Sequence, residues 1–311
     1  MAVSGNFNRF SGPWLTAYLV IAILYWSWFV FLVGVESTDI ALFILITAFY
    51  FINRPTRKLF IIFSPFFIYL TFYNSLRVLS QVNPFKIHIQ DLYDLEVKLF
   101  GVYRAGTKIS LNEFFLENSN AVLDVFSGMF YITWVPFPIL FAFLLFFKSK
   151  GQLAYRFWLS FLFANLLGFI GYITYPAAPP WYFLEYGNEV LRNVPGNAAG
   201  LARFDDLLGI NMYRSMYSQG TYTFGAIPSM HAAFPLILVF YSLKHKNKWL
   251  TALFLLSLAG IWFGAVYSSH HYVLDILLGI VCGIMGLFIT ELLVNRKFVP
   301  RWHKLAMSYI G

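Results

Sequence analysis

Charge is scarce in this 311-residue chain: only 14 residues are acidic, and Asp, Glu, Lys and Arg together make up 12%, where soluble domains carry about 25%. That shortage excludes an ordinary soluble domain. Cysteine is almost absent, and the one present, Cys282, falls inside a hydrophobic run, so no intrachain disulfide can form. The amino terminus, "MAVSGNFNRFSGPW", lacks the basic start, short apolar core and small-residue cleavage site of a signal peptide, so the first hydrophobic run is expected to remain as a span. No internal repeat and no low-complexity tract interrupts the chain. What fills it is apolar: 59% of residues are hydrophobic and the mean hydropathy is +0.66, the composition of an integral membrane protein.

Apolar runs bounded by charge or proline predict eight transmembrane helices, near residues 14 to 34, 38 to 53, 57 to 79, 121 to 147, 153 to 175, 228 to 244, 249 to 267 and 272 to 294. The expected fold is therefore all-α, a polytopic helical bundle forming one membrane domain over residues 1–311, with amino-terminal spans in 1–79, an interfacial segment in 80–120, a helical core in 121–294 and a basic cytoplasmic tail in 295–311. Eight crossings put both termini on one side. The turns on that side hold Arg9, Arg54, Arg57, Lys58, Lys148, Lys150, Lys244, Lys246, Lys248, Arg296, Lys297, Arg301 and Lys304 and no acidic residue, whereas the opposite side collects Glu36, Asp39, Asp91, Asp94, Glu96, Glu113, Glu117, Glu185, Glu189, Asp205 and Asp206. The positive-inside rule thus puts the termini in the cytoplasm and explains the net charge of +8 as topology, not as a nucleic-acid footprint.

Two long outer segments remain, 80 to 120 and 176 to 227. In the first, Ile87, Ile89, Leu92, Leu95 and Leu99 recur among charges at near-helical spacing, which suits a helix lying in the membrane interface. The second opens "YPAAPPWYF", where Pro176, Pro179 and Pro180 cannot continue a helix and Trp181 and Tyr182 suit the headgroup zone.

The chemistry gathers at the outer helix ends. His271 and Asp275 are four residues apart, so a helix would stack them, the carboxylate accepting the proton of one imidazole nitrogen and leaving the other as a free lone pair. Such a ring is a competent nucleophile towards phosphorus. His231 opens the sixth span at the same level and is placed to protonate a leaving oxygen. Before it, Gly225, Pro228 and Ser229 form a turn opening a helix, whose backbone N–H groups are expected to hold phosphate oxygens.

"GAIPSMHA" followed forty residues later by "SSHHYVLDILLG" resembles the second and third signature motifs of the type 2 phosphatidic acid phosphatase superfamily. "YSSHHYVLD", with "YPAAPPWYF" before it, looks most like the branch that contains the fungal inositol phosphorylceramide synthases and their bacterial relatives. The resemblance covers residues 175 to 279. It implies a six-helix catalytic core with extra amino-terminal spans, a metal-independent phosphohistidine mechanism and a site on the non-cytoplasmic face. Carried over by motif position, His271 is the nucleophile, Asp275 its orienting carboxylate and His231 the general acid, the roles their side-chain chemistry also points to.

The chain departs from the phosphatase pattern twice. The arginine expected six residues before the nucleophile is Ala265, and a lysine-rich first motif is missing. Ser229, Arg77, Arg214 and His270 are the candidate phosphate-binding residues, with Arg192 and Arg203 as further loop cations. His270 is expected to face away from His271, because adjacent residues diverge on a helix. No cofactor or metal is expected: His231, His270, His271 and Asp275 are metal-ligand types, but the histidines diverge and no carboxylate cluster is present for magnesium. The expected activity is transfer of a phospho-headgroup from a glycerophospholipid to ceramide, with phosphatidylinositol the donor and diacylglycerol released, in a bacterial inner membrane with the site facing the periplasm. Phosphoethanolamine is the other headgroup considered. A lipid phosphate or polyprenyl diphosphate phosphatase is the alternative enzyme, and a lipid transporter or scaffold the alternative without catalysis.

Overall fold

The computed structural model describes residues 12–191, 194–220, 222–295 and 309–310. Arg9, Arg192, Arg296, Lys297, Arg301 and Lys304 lie outside them. The α-helices in chain order are α1 (Gly12–Trp28, continued by a π-turn over Phe29–Val33), α2 (Ser37–Phe51), α3 (Arg54–Ser75), α4 (Leu79–Val82), α5 (Gln90–Phe100), α6 (Leu111–Glu117), α7 (Ala121–Tyr131), α8 (Pro136–Phe147), α9 (Gly151–Thr174), α10 (Pro180–Tyr186), α11 (Ala202–Leu208), α12 (Met212–Ser218), α13 (Met230–His245), α14 (Lys248–Tyr267) and α15 (Val273–Asn295). Among the described residues the departure from an all-α fold is a small antiparallel hairpin, β1 (Val102–Arg104) with β2 (Thr107–Ile109).

All eight expected spans are helical, but not all are long enough to cross. Among the described residues five helices have the length and apolarity of a membrane span: Gly12–Val33, Arg54–Val78, Gly151–Thr174, Lys248–Tyr267 and Val273–Val294. The expected span over 121–147 is instead two helices, α7 and α8, bent by 45°, because Pro136 lacks the N–H that would continue the ladder. Counted as one broken span they raise the number to six. The helices α2 and α13, with 15 and 16 residues, rise only about 22–24 Å against a hydrocarbon core of about 30 Å.

The centre of the bundle is α13, packed against α9, α14 and α15, with α15 also lying along α9 and α7 along α14. On the far side of α9, α3 carries α2. Small residues let the central helices touch: a Cβ on Gly279 would lie 1.9 Å from the Ser229 carbonyl oxygen, and one on Gly286 would lie 2.6 Å from that of Ser160. Backbone contact of this kind replaces the hydrophobic drive that lipid cannot supply. Outward, Ile23, Leu24, Phe31, Val281 and Phe288 are exposed, as lipid-facing side chains are. At one end of the bundle the basic turns meet, with Lys150 Nζ 3.0 Å from His245 Nδ1 and Lys58 beside Gly151. His231 and His271 occupy the other end.

Candidate active site

The helix ends opposite the basic turns are covered by three loops that the proline-rich segment stitches together. With Pro176, Pro179 and Pro180 unable to donate, the work falls to Ala177 and Ala178. Ala177 N–H donates to Phe224 O (2.8 Å) and Ala177 O accepts from Ala226 N–H (3.3 Å). Ala178 N–H donates to His88 O (2.9 Å), and His88 N–H to Pro176 O (2.8 Å). Both alanines are buried, and their small side chains let the three backbones meet. The next turn, α10, docks on the histidine loop through Trp181 N–H to Ser269 O (2.9 Å).

His270 and His271 do not lie on α15. They form the loop between α14 and α15, where both backbone N–H groups donate to Ala265 O at 3.1 and 3.0 Å. The expected helical stacking of His271 over Asp275 is therefore produced by a loop, yet the pair still meets, Nδ1 of His271 lying 3.3 Å from Oδ2 of Asp275. The same Oδ2 accepts from Tyr272 N–H at 2.9 Å, while the buried Oδ1 has no partner among the described residues. On its other side, His271 Nε2 lies 3.0 Å from His231 Nδ1. His231 and His271 approach from α13 and from the loop that opens α15, which Ser229 N–H joins by donating to Asp275 O (2.9 Å).

The loop geometry also overturns the expectation that His270 faces away. His231, His270 and His271 line one cavity of about 170 Å³, together with Tyr172, Asn197, Tyr217, Tyr222 and Thr223. His270 stacks on Tyr217 with ring centroids 4.3 Å apart, and its Nε2 lies 3.0 Å from Ala198 O. A smaller adjoining cavity, about 130 Å³, runs from His231 past Trp134, whose indole N–H is buried without a partner among the described residues, to Phe234 and Phe169. Burial pulls His271 down to about 4, and burial with the charge of His271 pulls His270 to about 3. Both rings are thus neutral at neutral pH, as a nucleophilic imidazole must be.

No lysine or arginine lines either cavity among the described residues. Arg77 is turned to the amino-terminal helices, with an ion pair of 2.7 Å to the fully buried Asp39 and another of 3.2 Å to Glu36. Arg214 pairs with the exposed Asp206 at 2.8 Å. Arg203 pairs with Asp124 at 2.6 Å and lies over the ring of Tyr267. Ser229 is buried against Gly279. Two amides of the turn expected to cradle phosphate are already engaged, Ala226 by Ala177 and Ser229 by Asp275. Ala265, where a phosphatase would carry arginine, is buried in a cluster with Tyr131, Phe204 and Ile261, which leaves no room for a guanidinium.

Two residues that build the site were not singled out from the sequence. Asn112, the second residue of α6, donates to His271 O (3.1 Å) and Val266 O (2.8 Å). Glu96, fully buried on α5, accepts from Val273 and Leu274 N–H. The signal for Glu96 was present: it follows Leu92 by four, so it continues the buried stripe of α5, whereas Leu95 and Leu99 are exposed.

A family model described as the PAP2 superfamily matches residues 91–289. The chain is similar to a phosphoinositol dihydroceramide synthase of Bacteroides thetaiotaomicron, with 42% identity over 88% of this chain and 91% of that protein. It is also similar to an inositol phosphorylceramide synthase of Candida albicans (28% identity, 91% of this chain and 57% of the relative) and to the catalytic subunit of the Saccharomyces cerevisiae synthase (29%, 62% and 49%). It therefore spans about half the length of those fungal proteins. No solved structure matches the chain.

Proposed function

The chain belongs to the PAP2 superfamily, and from that premise we propose that it is an integral-membrane phosphotransferase moving phosphoinositol from phosphatidylinositol to ceramide or dihydroceramide, with release of diacylglycerol. The observation that carries this reading is the hydrogen-bonded series His231 Nδ1, His271 Nε2, His271 Nδ1, Asp275 Oδ2, at 3.0 and 3.3 Å, on the wall of a cavity. Asp275 holds the proton on His271 Nδ1, so Nε2 carries the lone pair, which accepts from His231 Nδ1–H at 3.0 Å and turns to the diester phosphorus when it attacks. His231, as imidazolium beside the bound anion, gives its proton to the diacylglycerol oxygen as the P–O bond breaks. The neutral His231 then takes the proton of the ceramide hydroxyl, whose oxygen displaces His271 from phosphorus. Asp275 balances the positive charge that the ring carries while it is phosphorylated.

The lining supports inositol over ethanolamine. Tyrosine, threonine and asparagine groups suit a polyhydroxyl ring, and no carboxylate lines the cavity among the described residues to meet an ammonium. We place the basic turns in the cytoplasm and the histidines at the periplasmic face. The test is the purified full-length protein in detergent–lipid micelles with inositol-labelled phosphatidylinositol, with and without ceramide. Label should pass to ceramide, with equimolar diacylglycerol. Water-soluble inositol phosphate released at the same rate with or without ceramide would make the protein a hydrolase instead.

A further inference from the structure

Three successive amides precede and open α15, those of Tyr272, Val273 and Leu274, and each donates to a carboxylate. Asp275 takes the first at 2.9 Å from within the helix. Glu96 takes the other two from a different element: Oε1 accepts from Val273 N–H at 3.0 Å and Oε2 from Leu274 N–H at 3.2 Å. Its side chain has no solvent exposure, so both amides would be left buried and unpaired without it. Asn112 holds the preceding carbonyl, that of His271, at 3.1 Å. The backbone from His271 to Leu274 is therefore clamped by residues of α5 and α6, both outside the histidine motifs. Because Asp275 sits in the turn whose first two amides Glu96 holds, any fraying there moves its carboxylate relative to His271, where the contact is already 3.3 Å.

We propose that Glu96 is a positioning residue for the transfer reaction, its carboxylate fixing the first turn of α15 and thereby the His271–Asp275 pair. The inference rests on the reading of His271 as nucleophile. The ionised carboxylate offers a charged acceptor oxygen to each amide; a proton on either oxygen leaves one amide facing a hydroxyl, a weaker acceptor.

Burial, opposed by the two amides and reinforced by the charge of Asp275, pushes Glu96 up to about 7 from an ordinary 4.5. The groups facing it are Asp275 and Tyr272 at the start of α15, and Tyr272 in turn faces Tyr93 on the helix that carries Glu96. Beyond these, α6 presents Glu113, which accepts from Tyr93 OH at 2.9 Å. From α10 comes Phe183, stacked on Tyr93, and Glu185, which is bonded to Asn197. Among the described residues no lysine or arginine pairs with Glu96. As pH rises through about 7 Glu96 loses its proton and both caps become charge-assisted, so turnover rises with it. Stability follows the opposite sign: a carboxyl whose pKa is raised on folding stabilises the fold fully below pH 4.5 and loses that contribution as pH climbs through 7.

The experiment uses the full chain in lipid nanodiscs, with phosphatidylinositol and ceramide, and compares wild type, Glu96→Gln, Glu96→Asp and His271→Ala. Glu96→Gln keeps one acceptor and opposes the second amide with a donor, at every pH. Its kcat at pH 8 should fall by about tenfold to a hundredfold, the range for slight misplacement of a reacting group, with KM unchanged. It should also lose the acidic limb near 7, keeping only a limb near 4 where His271 protonates. Glu96→Asp, charged but one methylene shorter, should keep a limb and recover part of kcat, and it carries the test if the glutamine variant does not fold. Folded Glu96 variants that retain wild-type kcat and pH profile, while only their thermal stability changes, would reduce Glu96 to a structural residue. Undiminished turnover in His271→Ala would instead overturn the functional reading itself.

Discussion

Replacing Asp275 by asparagine separates two things its carboxylate does. One oxygen, Oδ2, serves both His271 Nδ1 and Tyr272 N–H, at 3.3 and 2.9 Å, and the other has no partner among the described residues. An asparagine fits by placing its carbonyl oxygen where Oδ2 was, since the reverse orientation would set two donors against each other. The proton therefore stays on Nδ1 and the nucleophilic lone pair stays on Nε2. What is lost is the negative charge beside a ring that becomes cationic when phosphorylated. At 3.3 Å and an effective dielectric of about 20, that interaction is of order 5 kcal/mol, which corresponds to a fall in kcat of roughly a thousandfold or more. Asp275→Ala should be worse, because it also leaves the Tyr272 amide and the His271 Nδ1–H without acceptors. The assay is initial-rate transfer of labelled phosphoinositol to ceramide, alongside thermal unfolding, in which Asp275→Asn should stay close to wild type because His271 Nδ1–H and Tyr272 N–H keep their acceptor and the amide NH2 replaces an oxygen that already lacks a partner among the described residues. A folded Asp275→Asn protein within tenfold of wild-type kcat would refute charge stabilisation as the role of this residue.

His231→Ala should abolish transfer from phosphatidylinositol, and a donor carrying a nitrophenolate leaving group should restore phosphorylation of His271, measured as a single-turnover burst, because that oxygen needs no proton. Gly279→Ala forces a Cβ to within 1.9 Å of the Ser229 carbonyl and should cost about 1–3 kcal/mol by prising α15 from α13, lowering the melting temperature, whereas Gly12→Ala, with nothing within 4 Å, should leave it unchanged. Arg77→Ala takes the counter-charge from the fully buried carboxylate of Asp39, which keeps hydrogen bonds from Asn74 Nδ2 and Glu36 N–H, so it should destabilise the fold by about 3 kcal/mol with KM for the phospholipid unaltered in whatever remains folded. A selective rise in KM would return Arg77 to the binding site.

The histidines, the aspartate and their grouping at one end of the bundle were legible because each belongs to a short local motif and because helix direction alone fixes which end of a span faces which side. Reading His270 and His271 as helical was the error that turned His270 away. The loop that holds them is set by two amides converging on Ala265 O, a contact that hydrophobic periodicity does not encode. Composition also hides a break: 121–147 is apolar apart from Asp124, Ser127 and Thr133, yet the chain bends by 45° at Pro136. The arginine candidates were chosen for charge, but Arg77, Arg203 and Arg214 each found a carboxylate closer to hand.

Sequence by itself determined that the chain lives in a membrane, that the basic turns between its helices share one end, and that two histidines and an aspartate gather at the other, because these follow from composition and from spacing within single segments. Only the tertiary structure decided what holds them in register. Glu96 and Asn112 reach the His271 loop across separations of 177 and 159 residues, and Ala177 ties two further loops above it. Such contacts depend on where helix ends arrive in space, and a carboxylate that caps a distant helix has the same composition and spacing as one that merely faces water.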